Sequence, residues 1–209
     1  MEIAVIGTGP VGGTLGRRWA ELGHAVAFGV RDTGDADAKA LVAKIKGEAR
    51  LASVRDAAKD ADVVVLATPY AANAAALASA GDLAGKILID VTNPIGANFS
   101  LAVGFDDSGA EQVAKLAPGA RVFKAMNQVG FEVMADAAFA AGKPVMFVAG
   151  DDAAGKQVVM DLVGALGFEA VDVGELAIAR LLEPYAMLWI HLMARRKMGR
   201  SFAFGLLRR

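Results

Sequence analysis

Short apolar runs alternate along the chain with alanine-rich stretches in which apolar residues recur every three or four positions. The runs Ile3–Ile6, Ala25–Val30, Val63–Ala67, Ile87–Val91, Arg121–Lys124, Pro144–Val148 and Ala170–Val173 predict strands, with a weaker one near Arg50–Ala52. Between them the periodicity predicts helices near Pro10–Leu22, Ala36–Ile45, Ala71–Ala80, Ala110–Leu116 and Asp152–Leu166. Ser53 followed by Asp56 fits a capping box for one more short helix. Uninterrupted apolar strands are those buried on both faces, so the alternation predicts an α/β fold with a doubly wound, mostly parallel sheet. Beyond Gly174 no strand signal remains, and residues 175–209 read as a small helical C-terminal region interrupted at Pro184. The expected division is therefore residues 1–174 and residues 175–209.

The first strand runs into Gly7-Thr8-Gly9-Pro10-Val11-Gly12, a G-x-G-x-x-G pattern that opens an amphipathic helix. In that context the three glycines have separate tasks. Gly7 permits the tight turn, Gly9 lets a pyrophosphate approach the backbone, and Gly12 allows close packing of helix on strand. Pro10 suits a first helical turn, and Gly23 suits the end of the same helix. N–H groups at a helix start carry partial positive charge toward an anion. The chain thus reads as a Rossmann-type dinucleotide-binding fold, with Gly7, Thr8, Gly9, Pro10, Val11 and Gly12 around the pyrophosphate.

Strand two should end beside the adenosine ribose, where NAD-binding proteins usually place a carboxylate. Here Val30 is followed by Arg31, whose planar guanidinium suits a 2′-phosphate, and NADP(H) is expected. Asp32, 20 residues beyond Gly12, would serve a ribose hydroxyl instead if the strand ran longer.

Ligands of open α/β sheets bind beyond the carboxyl ends of the strands. Three such ends carry polar or turn-forming residues: Ala67-Thr68-Pro69-Tyr70, Asp90-Val91-Thr92-Asn93-Pro94 and Lys124-Ala125-Met126-Asn127. Each alone is ordinary turn chemistry; at three successive ends they suggest one shared site. Thr68, Pro69, Asn93, Pro94 and Asn127 are the candidate cofactor residues there. Lys124 either orients a substrate or is a capping or solvated lysine. His191 is a candidate for an acceptor pocket, though a packed or interface histidine fits it better, and His24 reads as structural.

Composition narrows the chemistry. The chain has no cysteine and two histidines, which leaves no thiolate metal site, and no metal is expected. A net charge of −1 with 7% aromatic residues gives no basic or stacking surface for nucleic acid. The run Leu181–Met193 contains Glu183, Pro184 and His191, so no membrane partner is expected and the protein reads as cytoplasmic. No catalytic acid, base or nucleophile stands out, so the catalytic residue is left unassigned. That suits hydride exchange between two redox cofactors, which asks for alignment more than for proton transfer. The partner is then a small-molecule redox acceptor.

The glycine turn, Gly29-Val30-Arg31-Asp32, Asp90-Val91-Thr92-Asn93-Pro94, Phe123-Lys124-Ala125-Met126-Asn127 and Ala179-Arg180-Leu181-Leu182-Glu183 together resemble the coenzyme F420-dependent NADP oxidoreductase family. The resemblance implies a Rossmann protein, often dimeric, that transfers hydride between NADPH and a deazaflavin lying between the two regions. It puts Met126, Asn127 and Val129 on the acceptor side. The module is also similar to the NADPH-binding domain of the six-transmembrane metalloreductases, and the Lys124–Asn127 segment lies nearer that pattern. An NADPH-dependent reductase of free FMN or FAD, or of a ferric chelate, is therefore a second expectation. A dinucleotide-sensing module without turnover is the third. Leu181, Leu188, Trp189 and Leu192 exceed what a solvent-facing helix needs and point to a homodimer. The basic residues Arg195, Arg196, Lys197, Arg200, Arg208 and Arg209 suit either an anionic coenzyme or a solvated helix end.

Overall fold

The computed structural model describes residues 1–209 and shows one eight-stranded sheet. The strands are β1 (Glu2–Ile6), β2 (Ala25–Val30), β3 (Ala49–Ser53), β4 (Val63–Leu66), β5 (Ile87–Asp90), β6 (Arg121–Lys124), β7 (Val145–Gly150) and β8 (Glu169–Asp172). Their order is β3-β2-β1-β4-β5-β6-β7-β8, the first six positions being the Rossmann order. All neighbours pair in parallel except β6 and β7. The helices are α1 (Pro10–Glu21), α2 (Ala36–Val42), α3 (Val54–Lys59), α4 (Asn73–Ala80), α5 (Gly109–Leu116), α6 (Phe131–Ala135), α7 (Ala153–Ala165) and α8 (Ala179–Ala194).

Successive strand residues enter opposite cores. Ile3 and Val5 pack with Leu15 and Trp19 of α1 and Val159 and Leu162 of α7, while Ala4 and Ile6 pack with Ala57 of α3, Leu77 of α4 and Val113 of α5. Both faces of the sheet are therefore covered, the reason its strands read as unbroken apolar runs. At about 25 cal/mol per Å², each fully buried aliphatic side chain contributes on the order of 2 kcal/mol to this core.

β7 is the one strand that runs against its neighbour β6. β6 pairs with it only through Phe123 and Lys124, after which the chain turns away at Met126, held at φ +59°. Gln128 then completes the ladder with its side chain: its Nε2 donates to Phe147 O at 2.9 Å, and its Oε1 accepts from Phe147 N at 3.2 Å.

The C-terminal region differs from expectation in two ways. Pro184 does not interrupt α8, which runs through it from Ala179 to Ala194. A proline removes one N–H, here the donor that would reach the Arg180 carbonyl, and the flanking turns hold the helix. Residues 195–209, in contrast, are not helical. Lys197 at φ +56° and Gly199 at φ +80° leave the helix, and Phe202 and Phe204 dock on the domain. Phe204 O accepts from Val145 N at 3.0 Å, and Phe202 stacks on Trp189 with 5.1 Å between ring centres. Trp189 is consequently buried inside the chain, leaving Leu181 and Leu188 as the exposed members of the apolar set, at 66% and 49%. Leu176–Ala194 is apolar and long enough to cross a membrane by length and composition alone, yet Glu183 within it is wholly buried by the fold.

Candidate functional site

The site begins at the turn between β1 and α1. Gly7 sits at φ +113°, and a Cβ there would lie 2.7 Å from the Ala67 carbonyl oxygen. A Cβ on Gly12 would come within 2.2 Å of Gly7 O, so helix and turn touch as only glycine permits. Gly9 is different: a Cβ there would meet nothing within 4 Å. No packing demand explains that glycine, whereas the approach of a ligand does.

Gly9 is also the N-cap of α1 and offers no side chain to its N–H groups. Four other helices are capped by a side chain: α2 by Asp35, α3 by Ser53, α5 by Ser108 and α7 by Asp152. The helix aimed at the crevice thus keeps its donors free for an anion.

The crevice has a volume of about 490 Å³ and is lined by Gly7, Thr8 and Gly9, by Arg31 and Asp32 after β2, and by Thr68 and Pro69 after β4. Asp32 Oδ1 accepts from Gly34 N at 2.7 Å, and Asp35 Oδ1 accepts from Ala38 N at 2.8 Å. Both acidic residues on the lining are thereby engaged with backbone, while Arg31 is exposed beside them. The glycine cradle, the uncapped helix and the exposed guanidinium fit a phosphorylated dinucleotide.

Six sequence-predicted residues thus meet in the crevice: Gly7, Thr8, Gly9, Arg31, Thr68 and Pro69. Pro10, Val11 and Gly12 form the first turn of α1 behind it. Asn93, Pro94 and Asn127 do not line it. Asn93 Nδ2 donates to Asn127 O at 2.8 Å, Asn127 Nδ2 donates to Asn93 Oδ1 at 3.0 Å, and the same amide reaches Leu182 O at 3.3 Å. These residues bind the ends of β5 and β6 to α8. Met126 and Val129 are buried there, and His191 is exposed on α8.

Lys124 is neither solvated nor free to meet a substrate. It is 0% exposed, as are Asp90 and Glu183. Its three ammonium hydrogens face three acceptors: Asp90 Oδ2 at 2.8 Å, Thr92 O at 2.6 Å and Glu183 Oε1 at 2.8 Å. Burial by itself would push this ammonium down, but Asp90 and Glu183 together outweigh it and hold the group above the ordinary lysine range. Glu183 also accepts from Gly109 N at 2.8 Å and Ala110 N at 3.1 Å, at the start of α5. From Asp90 a line of contacts leads outward. Thr92 Oγ1 lies 2.7 Å from Asp90 Oδ1, Asn73 Nδ2 lies 3.1 Å from Thr92 Oγ1, and Thr68 Oγ1 lies 2.8 Å from Asn73 Oδ1. Asn73 escapes sequence reasoning, because nothing in its alanine-rich helix marks it as more than a surface polar residue.

Comparison with known proteins gives the family of the chain. A family model described as NADP oxidoreductase, coenzyme F420-dependent, matches residues 2–94. The F420-dependent NADP reductase of Methanothermobacter thermautotrophicus is 36% identical over 215 residues, covering 94% of this chain and 91% of that protein. A crystal structure from Arthrobacter sp. FB24, assigned as an F420-dependent NADP-reductase, aligns with a TM-score of 0.91 and 37% identity over 100% of both chains. The metalloreductase STEAP3 of Rattus norvegicus is 28% identical over 183 residues, which are 87% of this chain and 36% of that protein.

Proposed function

The chain belongs to the coenzyme F420-dependent NADP oxidoreductase family, and from that premise we propose that it transfers hydride between NADPH and coenzyme F420. The observation that carries the reading is the crevice itself, where an unfilled glycine position, the free start of α1 and Arg31 lie together. Gly7, Thr8 and Gly9 hold the pyrophosphate, backed by the first turn of α1 at Pro10, Val11 and Gly12, and Arg31 holds the 2′-phosphate. Thr68 and Pro69 flank the nicotinamide half. Asn93 and Pro94 stand behind them on the nicotinamide side, and Met126, Asn127 and Val129 lie toward the acceptor.

The bound dinucleotide supplies or receives the hydride. The chain's own contribution is to bind, orient and exclude water, which suffices for transfer between two aligned rings. Lys124 supports this by fixing the ends of β5 and β6, since its hydrogens are all engaged inside the fold.

Residues 1–174 form the dinucleotide-binding part in this reading, and residues 175–209 border the acceptor cleft. We assign the enzyme to the cytoplasm and to a homodimer. Support for the dimer comes from Leu181 and Leu188, the exposed apolar residues of α8.

The test is NADPH oxidation by the purified protein, followed at the nicotinamide absorbance. Coenzyme F420, FMN, FAD and a ferric chelate are offered separately. Turnover with F420 is expected. Turnover with flavin or ferric chelate alone would transfer the assignment to a flavin or ferric reductase. Tight NADPH binding with no turnover on any acceptor would leave a sensing module.

A further inference from the structure

The contacts from Lys124 to the crevice have a direction, fixed by the number of hydrogens each group carries. Asp90 accepts on both oxygens, from the Lys124 ammonium on Oδ2 and from Thr92 N at 2.9 Å on Oδ1. The 2.7 Å contact between Thr92 Oγ1 and Asp90 Oδ1 must therefore use the threonine's only hydroxyl hydrogen. Thr92 then has none to give Asn73, so the Asn73 group facing it is the amide N–H₂. The Asn73 carbonyl is left facing Thr68, and their 2.8 Å contact requires the Thr68 hydrogen. The Thr68 hydroxyl thus spends its one hydrogen inward and has only lone pairs for the crevice it lines. Asn73 and Thr92 are both buried, so water does not scramble the order.

Resting on the dinucleotide reading above, we propose that the Thr68 hydroxyl meets the ligand as an obligate hydrogen-bond acceptor, its polarity set through Asn73 and Thr92 by the Lys124–Asp90 pair. Such a hydroxyl cannot donate to a phosphate oxygen; only the backbone N–H of Thr68 could. The hydroxyl selects an O–H or N–H donor, and the nicotinamide half of the dinucleotide carries two kinds, the ribose hydroxyls and the carboxamide N–H₂. Thr68 stands beside the glycine turn, its Cγ2 lying 3.6 Å from the position a Cβ on Gly7 would take, and in the dinucleotide reading the nicotinamide half leads away from that turn. Asn73 and Thr92 are positioning residues in this account.

Equilibrium binding to the full chain tests it, with three probes: NADP⁺, its 3-acetylpyridine analogue, which lacks the carboxamide N–H₂, and 2′,5′-ADP, which lacks the nicotinamide half. Thr68→Val should weaken NADP⁺ about three- to tenfold, the effect of one neutral hydrogen bond, and leave 2′,5′-ADP unchanged. Thr68→Ser should bind as the wild type does. Thr92→Val should lose NADP⁺ affinity in the same direction, and Thr92→Ser should restore it, a contrast that packing alone would not produce. An equal loss on the acetylpyridine analogue identifies a ribose hydroxyl as the donor; no loss there identifies the carboxamide. The proposal is overturned if Thr68→Val weakens all three probes alike or none, or if Thr92→Ser fails as Thr92→Val does. Should Thr92→Val not fold, the Thr68 pair decides by itself. Wild-type protein binding neither NADP⁺ nor 2′,5′-ADP would sink the dinucleotide reading itself, a separate outcome.

Discussion

Charged residues at the two ends of this site are held in opposite circumstances. Arg31 stands in water at the mouth of the crevice, beside two aspartates already engaged with backbone N–H groups. Its substitution should therefore be felt by the ligand and not by the fold. Arg31→Ala should weaken NADPH by about 1–3 kcal/mol, the range for a charge-assisted contact, and leave NADH nearly unchanged in parallel titrations. Equal losses for both would refute the 2′-phosphate assignment. Lys124 is the reverse case, fully buried and fully bonded. Lys124→Met leaves Asp90 and Glu183 as buried carboxylates without a cation, which should cost about 3–5 kcal/mol in urea unfolding. A loss below 1 kcal/mol would mean that the site admits water. These residues also differ in legibility. Arg31 follows a strand that can be read directly, so its place was foreseeable. Lys124 meets partners on β5 and α8, far away in sequence, and no local pattern distinguishes it from a surface lysine.

Elements were legible where local rules governed them. All eight strands fall within a residue or two of the apolar runs, because burial on both faces leaves that mark. The Ser53 cap exists as expected, with Ser53 Oγ accepting from Asp56 N at 3.1 Å. Elements that depend on distant packing were not legible. α6 has five residues, too few for a period, and at β7, which runs against β6, a side-chain amide completes the ladder. The tail misleads for a similar reason, since its aromatic residues hold it extended against α8 and β7 and no helical pattern does. Phe202→Ala removes the ring stacked on Trp189 and should lower stability by at least about 1 kcal/mol, given what such pairs contribute beyond burial. Thermal unfolding unchanged from wild type would show the tail to be undocked in solution.

At the scale of the molecule, the titrating groups place two edges on its stability, and the edges have different physics. Tyr185 packs against Phe147 and Phe204 at ring distances of 5.7 and 5.0 Å. Burial raises its hydroxyl from the ordinary 10.0 to about 12. A group whose pKa is higher when folded contributes fully below its unfolded value and loses that contribution as pH rises through the folded one. Tyr185 should therefore weaken the fold between about pH 10 and 12, and Lys124, also raised, acts with the same sign. The acid edge works the other way. Arg180 holds Glu111 below its usual range, and Lys156 does the same for Asp172. Their contribution is present above the unfolded carboxylate value and disappears as pH falls through the lowered one. Salt separates the two edges, because partly exposed ion pairs are screened whereas desolvation of a phenol is not. Denaturant titrations from pH 3 to pH 12 should show a broad plateau, with an acid fall that shrinks in 0.5 M salt and an alkaline fall that does not. Tyr185→Phe should make the alkaline fall shallower and leave the acid side in place. An alkaline edge identical in the variant would assign it to Lys124 and its two carboxylates instead.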